Sequence, residues 1–265
     1  MGPDRPGAEA PGPGRLTLYR PPPVALYGYG SARIRYHSRT MKLVIDHLVI
    51  AAADLDSGTE YVAALLGIAP SGGGAHPRMG THNRVLGMAG GIYLEVIAID
   101  PQAPAPARPR WFGLDQDAVR ARIAQGPYLA HWAARVEAPL DLTRMQAEHP
   151  ARIPPAIPME RGQLRWRLTV PDDGSLPAWR EAGHAAGDGL LPTLIQWDVA
   201  DYPGVSLPRQ HLTLKQLSGS HPQAGLLRQG LAWLGADHLI QVEQVDGPPR
   251  LSAQIETAGG LKILA

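Results

Sequence analysis

Two stretches of the chain begin alike: residues 47–56 read HLVIAAADLD, and residues 131–141 read HWAARVEAPLD. Each starts with a histidine, continues as an apolar run typical of a buried strand, and reaches an aspartate before a helical pattern. In the first stretch, Asp54 or Asp56 is placed to cap a helix and Gly67 is placed to end it. Repetition on this scale predicts that one supersecondary unit occurs more than once.

The repeated unit is predicted to be a strand, a helix and three further strands (βαβββ). Because one such small sheet cannot bury both faces, two units are expected to pair around a shared interior. The predicted fold is therefore α+β, with paired βαβββ modules forming a cup-shaped, mostly antiparallel sheet and a third partial module at the C-terminus. The predicted segments are a flexible Pro/Gly/Arg-rich leader (1–41), a first module (42–100), a Pro-rich linker with a short helix (101–127), a second module (128–204) and a third βαβββ-like module (205–265).

The composition limits the classes of function. The 265 residues are 44% hydrophobic and 18% charged, with a net charge of +1, so the chain is predicted to fold and neither nucleic acid nor a membrane surface is an expected partner. The absence of cysteine excludes disulfides and thiolate chemistry, and it fits a cytoplasmic protein. At Met41 the sequence changes from Pro-, Gly- and Arg-rich to apolar, which makes Met41 a candidate native start. The alternative is a flexible leader that belongs to the protein.

Each of the two units carries a histidine and a polar residue inside apolar strands. Alternation along a strand places Ile45, His47 and Val49 on one face. Glu95 lies inside the apolar run GIYLEVIAI, where burial costs several kcal/mol unless the carboxylate is paired or coordinated. The second unit offers His131 and, in LIQWDV, a glutamine at position 196.

If the units pair about an approximate twofold axis, His47, Glu95, His131 and Gln196 are expected to converge in the cup. One histidine and one oxygen donor from each half is a reasonable shell for a divalent ion (Zn, Ni, Fe or Mn) with two open positions. Such a site would suit an anionic intermediate. The alternatives are that the histidines are hydrogen-bonded core residues and that Glu95 pairs with Arg84.

The glycine-rich stretch SGGGAHPRMGTHN is predicted to be a loop at the mouth of the cup. Gly80 permits a tight turn there. His76, Thr81 and Asn83 would then be placed to bind substrate. The alternative is a turn in which the threonine and the asparagine satisfy local backbone groups.

Taken together, IDHLVIAAADLD, GGGAHPRMGTHN and GIYLEVIAID resemble the glyoxalase-like domain branch of the vicinal oxygen chelate (glyoxalase/bleomycin resistance/dioxygenase) superfamily. LRWRLTVP and LLPTLIQWD are similar to the later part of that domain, so the resemblance covers residues 43–201. It implies a cup with a divalent metal, with His47 and Glu95 at the first module's metal positions and His131 and Gln196 at the second's. The glutamine departs from the pattern, because a carboxylate is more usual there for isomerase chemistry.

The resulting hypothesis is a bacterial-type, metal-dependent lyase, isomerase or dioxygenase that acts on a small vicinal-oxygen substrate. Glu95 would be a metal ligand, and the catalytic base when it is released from the metal. The first alternative is a metal-free protein of the drug-resistance type that binds a small molecule in the same cup. The second is a structural homodimer with a decayed site.

Overall fold

The computed structural model describes residues 1–2 and 43–265. The chain divides into two units, Met1–Thr40 and Met41–Ala265, and every element reported below belongs to the second unit. The predicted leader, apart from its first two residues, and the candidate start at Met41 lie outside the described residues.

The described residues form fourteen strands and five α-helices. In chain order they are β1 (Val44–Ala51), α1 (Leu55–Leu66), β2 (Ser71–His76), β3 (Thr81–Gly87), β4 (Tyr93–Ile99), α2 (Asp117–Ile123), β5 (Tyr128–Arg135), α3 (Leu142–Glu148), β6 (Ala156–Arg161), β7 (Leu164–Thr169), β8 (Trp179–Glu181), β9 (His184–Ala186), β10 (Thr193–Trp197), α4 (Pro203–Ser206), β11 (Thr213–His221), α5 (Ala224–Leu234), β12 (Gln241–Gln244), β13 (Arg250–Thr257) and β14 (Gly260–Leu264). Helix α1 begins and ends as its sequence predicts, because Asp54 accepts a hydrogen bond from the backbone N–H of Ser57 and Gly67 adopts a left-handed φ of 77°.

Eight strands form one sheet in the order β2-β3-β4-β1-β5-β10-β7-β6. β1 pairs with β4, and β5 with β10, in parallel; the other neighbours are antiparallel. At the central β1–β5 seam, His47 lies opposite Ala133 while His131 lies opposite Val49, as an approximate twofold axis requires. The predicted α+β fold with paired βαβββ modules is confirmed, with the β8–β9 hairpin inserted in the second half.

The C-terminal segment has the predicted order of one strand, one helix and three strands, but its strands pair differently. Its sheet runs β12-β11-β13-β14, so the first strand pairs in parallel with the strand directly after the helix. In the two halves of the large sheet, the first strand instead pairs in parallel with the last. The third segment therefore shares the element order of the modules and not their topology.

Alternate residues of the central strands divide the core into two layers. Leu48, Ile50 and Leu94 belong to an outer cluster, which also contains Leu227 of α5 and Ile255 of β13. A second cluster fills the inner face of the large sheet; its members include Val49, Ile97, Ala133, Trp166 and Leu168. Because side chains alternate across a strand, polar residues in register with this second set face the interior of the cup.

Two predictions about irregular segments are corrected. The glycine-rich stretch is not simply a loop, because β2 and β3 form a hairpin whose register places Gly74 opposite Asn83. Gly73 is required in it, since a Cβ at this position would lie 2.1 Å from the backbone oxygen of Asn83. The proline-rich linker also contributes to the core, because Trp111 and Phe112 are buried in the inner cluster. Within residues 43–265, no helix is long and apolar enough to cross a bilayer.

Candidate active site in the cup

His47 is held in the cup by the residue that precedes it. The pairing between β1 and β5 is irregular between Ile45 and His47, which leaves Asp46 as the extra residue of a bulge. Ile45 consequently packs against the outer cluster, so its predicted place on the His47 face is wrong. Asp46 accepts a hydrogen bond from Nδ1 of His47 at 2.7 Å. This bond fixes the ring tautomer and leaves Nε2 for chemistry.

The buried carboxylate of Asp46 has further partners. It accepts hydrogen bonds from Nη1 of Arg135 and Nε1 of Trp197, both at 3.0 Å. Burial alone would raise the pKa of Asp46, but the hydrogen bond and charge of His47, the charge of Arg135 and the indole N–H lower it. Burial alone would lower the pKa of His47, but the bond to Asp46 and the charge of Glu95 raise it. These shifts favour an imidazolium held between two carboxylates.

Glu95 faces His47 across the floor of the cup. The parallel register of β1 and β4 sets Glu95 beside Val49, and its Oε2 lies 3.6 Å from Nε2 of His47. Its other oxygen accepts a hydrogen bond from Nδ2 of Asn83 at 2.5 Å. Glu95 is only 6% exposed. The alternative pair with Arg84 does not form, because Arg84 points to the helical face and pairs with Asp56 at 2.8 Å.

Tyr93 completes the surroundings of His47. The two rings stack with centroids 4.7 Å apart. Burial and the nearby charges of Asp46 and Glu95 raise the pKa of Tyr93 well above its ordinary value. Tyr93 therefore stays neutral and confines the imidazole ring from one side.

The three predicted substrate-binding residues have different places. His76 and Asn83 line the cavity, whereas Thr81 is buried behind His76 and accepts a hydrogen bond from its Nδ1 at 3.2 Å. Arg161, at the end of β6, donates from Nη1 to Nε2 of His76 at 3.0 Å and to Oδ1 of Asn83 at 2.9 Å. Burial and the charge of Arg161 lower the pKa of His76 to about 3, so this histidine is neutral.

The cavity between these side chains has a volume of about 30 Å³, which is room for one water or a group of a few atoms. Aromatic and aliphatic side chains form most of its wall. The lining residues are His47, His76, Asn83, Val85, Tyr93, Glu95, Trp111, Phe112, Arg161, Trp166, Leu168, Ile195, Trp197 and Pro203. Sequence reasoning missed Arg161 and the Trp111–Phe112 pair; a tryptophan and a phenylalanine in a proline-rich linker are the signal that could have drawn attention to the pair.

His131 occupies the equivalent strand position in the second half, but both of its ring nitrogens are hydrogen-bonded. Nδ1 lies 3.2 Å from the carbonyl oxygen of Gly189, to which it donates. Nε2 accepts from the backbone N–H of Thr193 at 3.1 Å and lies 2.8 Å from Oγ1 of the same residue. Burial lowers the pKa of His131 to about 3. The residue is a neutral part of the cup wall and does not line the cavity.

The second predicted donor, Gln196, is displaced by the strand register. Ala133 of β5 pairs with Thr193, as Val49 pairs with Glu95, so Thr193 and not Gln196 is the equivalent of Glu95. The Gln196 amide instead accepts from the backbone N–H of Leu142 at 2.8 Å and donates to the carbonyl oxygen of Leu140 at 2.9 Å. Gln196 therefore stabilises the start of α3, outside the cup.

The predicted four-residue metal shell does not come together. His47 and Glu95 meet, whereas His131 has no free ring nitrogen and Gln196 binds the α3 backbone. Within residues 43–265, no group of three or more His, Asp or Glu side chains is placed to hold a metal ion. Because catalytic zinc sites generally use three protein ligands, the donor set does not fit the divalent ion that the resemblance implies.

Paired βαβββ halves that enclose one cavity define a protein of the vicinal oxygen chelate class. The family described as a glyoxalase-like domain matches residues 45–235, which is well over half of the chain. The chain belongs to this glyoxalase-like family. No curated protein matches it.

A solved structure shares the fold. A hypothetical protein from Staphylococcus aureus is 15% identical, with 83% of this chain and 84% of that chain covered and a TM-score of 0.51. Methylmalonyl-CoA epimerase from Mycobacterium tuberculosis is 18% identical, with 62% of this chain and 93% of that chain covered and a TM-score of 0.37. At these identities the likeness of the first structure concerns the fold alone, and the second, below a TM-score of 0.5, carries no argument about the reaction.

Proposed function

We propose that this protein is an enzyme of the isomerase or lyase type that moves a proton on a small carbonyl-containing substrate in the cup. Glu95 is the base and His47 is the acid. The observation that carries the proposal is the buried pair itself: Nε2 of His47 and Oε2 of Glu95 face each other at 3.6 Å. Asp46 and Asn83 hold the other side-chain atoms of the pair, at 2.7 Å and 2.5 Å respectively.

The chemistry follows from which atoms are free. Oε2 of Glu95 removes the proton from the carbon next to the carbonyl group. The electron pair of that C–H bond forms a C=C bond, and the π pair of the C=O bond moves onto the oxygen. The N–H at Nε2 of His47 donates a hydrogen bond to this oxygen and stabilises its negative charge, because a fixed donor in a dry cavity needs no reorganisation. Return of the proton to another carbon or another face gives an isomerase, and expulsion of a neighbouring group gives a lyase.

The donor set supports a metal-independent form of this chemistry. The resemblance implies a divalent metal, and a dioxygenase of the common non-haem iron type would need two histidines and one carboxylate on one face of the ion. Two histidines, His47 and His76, line the cavity with one carboxylate, Glu95. Both ring nitrogens of His76 are hydrogen-bonded, to Thr81 and Arg161, so only His47 and Glu95 meet.

Proton exchange with solvent tests the proposal without knowledge of the final product. The protein is incubated in D2O with a panel of small 2-oxo and 2-hydroxy carbonyl compounds, with and without EDTA, and the loss of the C–H signal is followed by proton NMR. We expect exchange that survives EDTA, is lost in Glu95→Gln, and persists in the matched control His184→Gln, because His184 is exposed.

Two results would refute the proposal. Exchange that stops on chelation and returns with added metal would favour the metal-dependent enzyme of the sequence-based hypothesis. Binding of the panel compounds without exchange, equal in the wild type and in Glu95→Gln, would favour the metal-free binding protein, for which the aromatic wall of the cavity is suited.

A further inference from the structure

Arg161 brings a positive charge from the second half of the sheet to the cavity of the first. The contacts of its Nη1 with His76 and Asn83 fix the guanidinium at the rim of the cavity. The side-chain stem lies against the backbone of Gly74, where an added Cβ would come within 3.3 Å of Cδ of Arg161. The positive charge of Arg161 is therefore held in a fixed position at the cavity.

The partners of Arg161 do not neutralise it. Asn83 is an amide, and His76 accepts a hydrogen bond through a neutral ring. No carboxylate of residues 43–265 lies within ion-pair distance of this guanidinium. Arg135, by contrast, pairs with Asp46 at 3.0 Å. An arginine that lines a cavity without an acidic partner leaves a local positive charge there.

Within residues 43–265, Nε and Nη2 of the Arg161 guanidinium donate to no other residue. Nη1 has two hydrogens, and both are accounted for by His76 and Asn83. Nε and Nη2 then present the parallel pair of N–H groups that fits the two oxygens of a carboxylate. Trp111 lines the same cavity, and its buried Nε1 has no hydrogen-bond partner within the described part of the chain. Buried donors usually have a partner, which is a protein group, an ordered water or a bound ligand.

We propose that Arg161 binds a carboxylate of the substrate through Nε and Nη2, so that the cup takes small organic acids that carry a carbonyl or hydroxyl group. The inference rests on the proposed function, because it names the substrate class of the same cavity. Asn83 connects the two ends of the site, since it contacts Arg161 through Oδ1 and Glu95 through Nδ2. A substrate anchored at Arg161 would present the carbon next to its carboxylate towards the base.

Matched pairs of acids and amides test this recognition. Binding of lactate, pyruvate and malonate is compared with that of lactamide, pyruvamide and malonamide, by chemical-shift titration and by the rise in Tm. We expect the wild type to prefer the acids by at least about tenfold, as charge-assisted hydrogen bonds do. The preference should disappear in Arg161→Gln, should be partly kept in Arg161→Lys, and should be unchanged in Arg165→Gln, an exposed arginine of the next strand.

The variant Glu95→Gln separates this inference from the proposed function. It should keep or strengthen the preference for acids while it loses proton exchange, since it removes a negative charge and leaves Arg161 in place. Equal binding of acids and amides by the wild type, or a preference that survives in Arg161→Gln, would overturn the inference. If Glu95→Gln nevertheless abolished exchange, the proposed function would stand without it.

Discussion

The two halves of the large sheet place a histidine at the same strand position and give it opposite surroundings. In the first half, Asp46 holds one nitrogen of His47 and leaves the other beside Glu95. In the second half, a backbone carbonyl and Thr193 occupy both nitrogens of His131. The difference teaches that the partner atoms, and not the position in the fold, decide whether a histidine can react.

The pKa values of the two histidines also differ between the two halves. The pKa of His47 is raised, because the hydrogen bond to Asp46 and the charge of Glu95 outweigh burial. The pKa of His131 is lowered to about 3, because burial is opposed only by a backbone hydrogen bond. In the proposed function, the carboxylate at position 95 makes the first half the acid–base site, and the hydroxyl at position 193 leaves the second half as scaffold.

The largest expected effect separates the halves by activity. Glu95→Gln should lower the rate of proton exchange by about 10²- to 10⁴-fold, the usual contribution of a positioned base. Thr193→Val, at the equivalent position, should leave the rate per folded molecule unchanged, since Thr193 does not line the cavity. NMR exchange rates of both variants check this, and a comparable loss in Thr193→Val would mean that the second half takes part in the chemistry.

The sequence predicted the elements that depend on residues close together in the chain. The apolar alternation of β1 and β4 and the caps of α1 are fixed by neighbours within a few residues, as the contact of Asp54 with Ser57 shows. The pairing of His47 with Glu95 also follows from the period of strands. Strands β6, β8 and β9 have no clear apolar pattern of their own, although each belongs to a local hairpin, β6 with β7 and β8 with β9.

The rest of the site depends on contacts between residues far apart in the chain, which a local sequence pattern does not predict. Thr193 takes the place that Gln196 was predicted to fill, because the register of β10 against β5 is set by the whole sheet and differs by three residues. Asp46 joins the site only because a bulge interrupts β1. Arg161 reaches His76 because β2 and β6, at the two ends of the sheet, come close together.

A second prediction concerns the dependence of stability on pH. Because the folded-state pKa of His131, about 3, is lower than its ordinary value of 6.5, the unfolded chain binds this proton first and protonation favours unfolding. The contribution is complete above pH 6.5 and is lost as the pH falls towards 3. The full loss is about 5 kcal/mol of unfolding free energy.

The measurement is urea denaturation of the wild type and of His131→Gln across this pH range. The difference in unfolding free energy between the two proteins should shrink as the pH falls, because the variant has no proton to take up at this position. The exposed His184→Gln serves as the control and should follow the wild type. A constant difference at every pH would mean that His131 is not buried as a neutral ring.

A third prediction concerns the contribution of His131 to the free energy of unfolding at neutral pH. His131→Ala should lower the free energy of unfolding by about 2–4 kcal/mol, because it opens a cavity beside Phe112 and leaves the carbonyl of Gly189 and the N–H of Thr193 unpaired. Exchange per folded molecule should persist. Chemical denaturation and the exchange assay check the two parts, and a stable but inactive variant would contradict the scaffold role.

The smallest expected effect belongs to Gln196. Gln196→Ala removes two hydrogen bonds to the backbone before α3 and should lower the free energy of unfolding by about 1 kcal/mol. Neither the exchange rate nor metal content should change, because the side chain lies outside the cavity. A loss of bound metal in this variant would restore Gln196 to the predicted metal shell.

The most direct test of the division between the halves is a ¹⁵N NMR titration of the histidine rings, with and without one equivalent of Zn²⁺. We expect His47 to titrate above pH 6.5 and His131 near pH 3, with Asp46→Asn lowering the pKa of His47 alone. Zinc should leave the ring nitrogens of His131 unchanged. Simultaneous zinc-induced shifts of both His47 and His131, at one ion per protein, would contradict the account and establish a metal centre shared by the two halves.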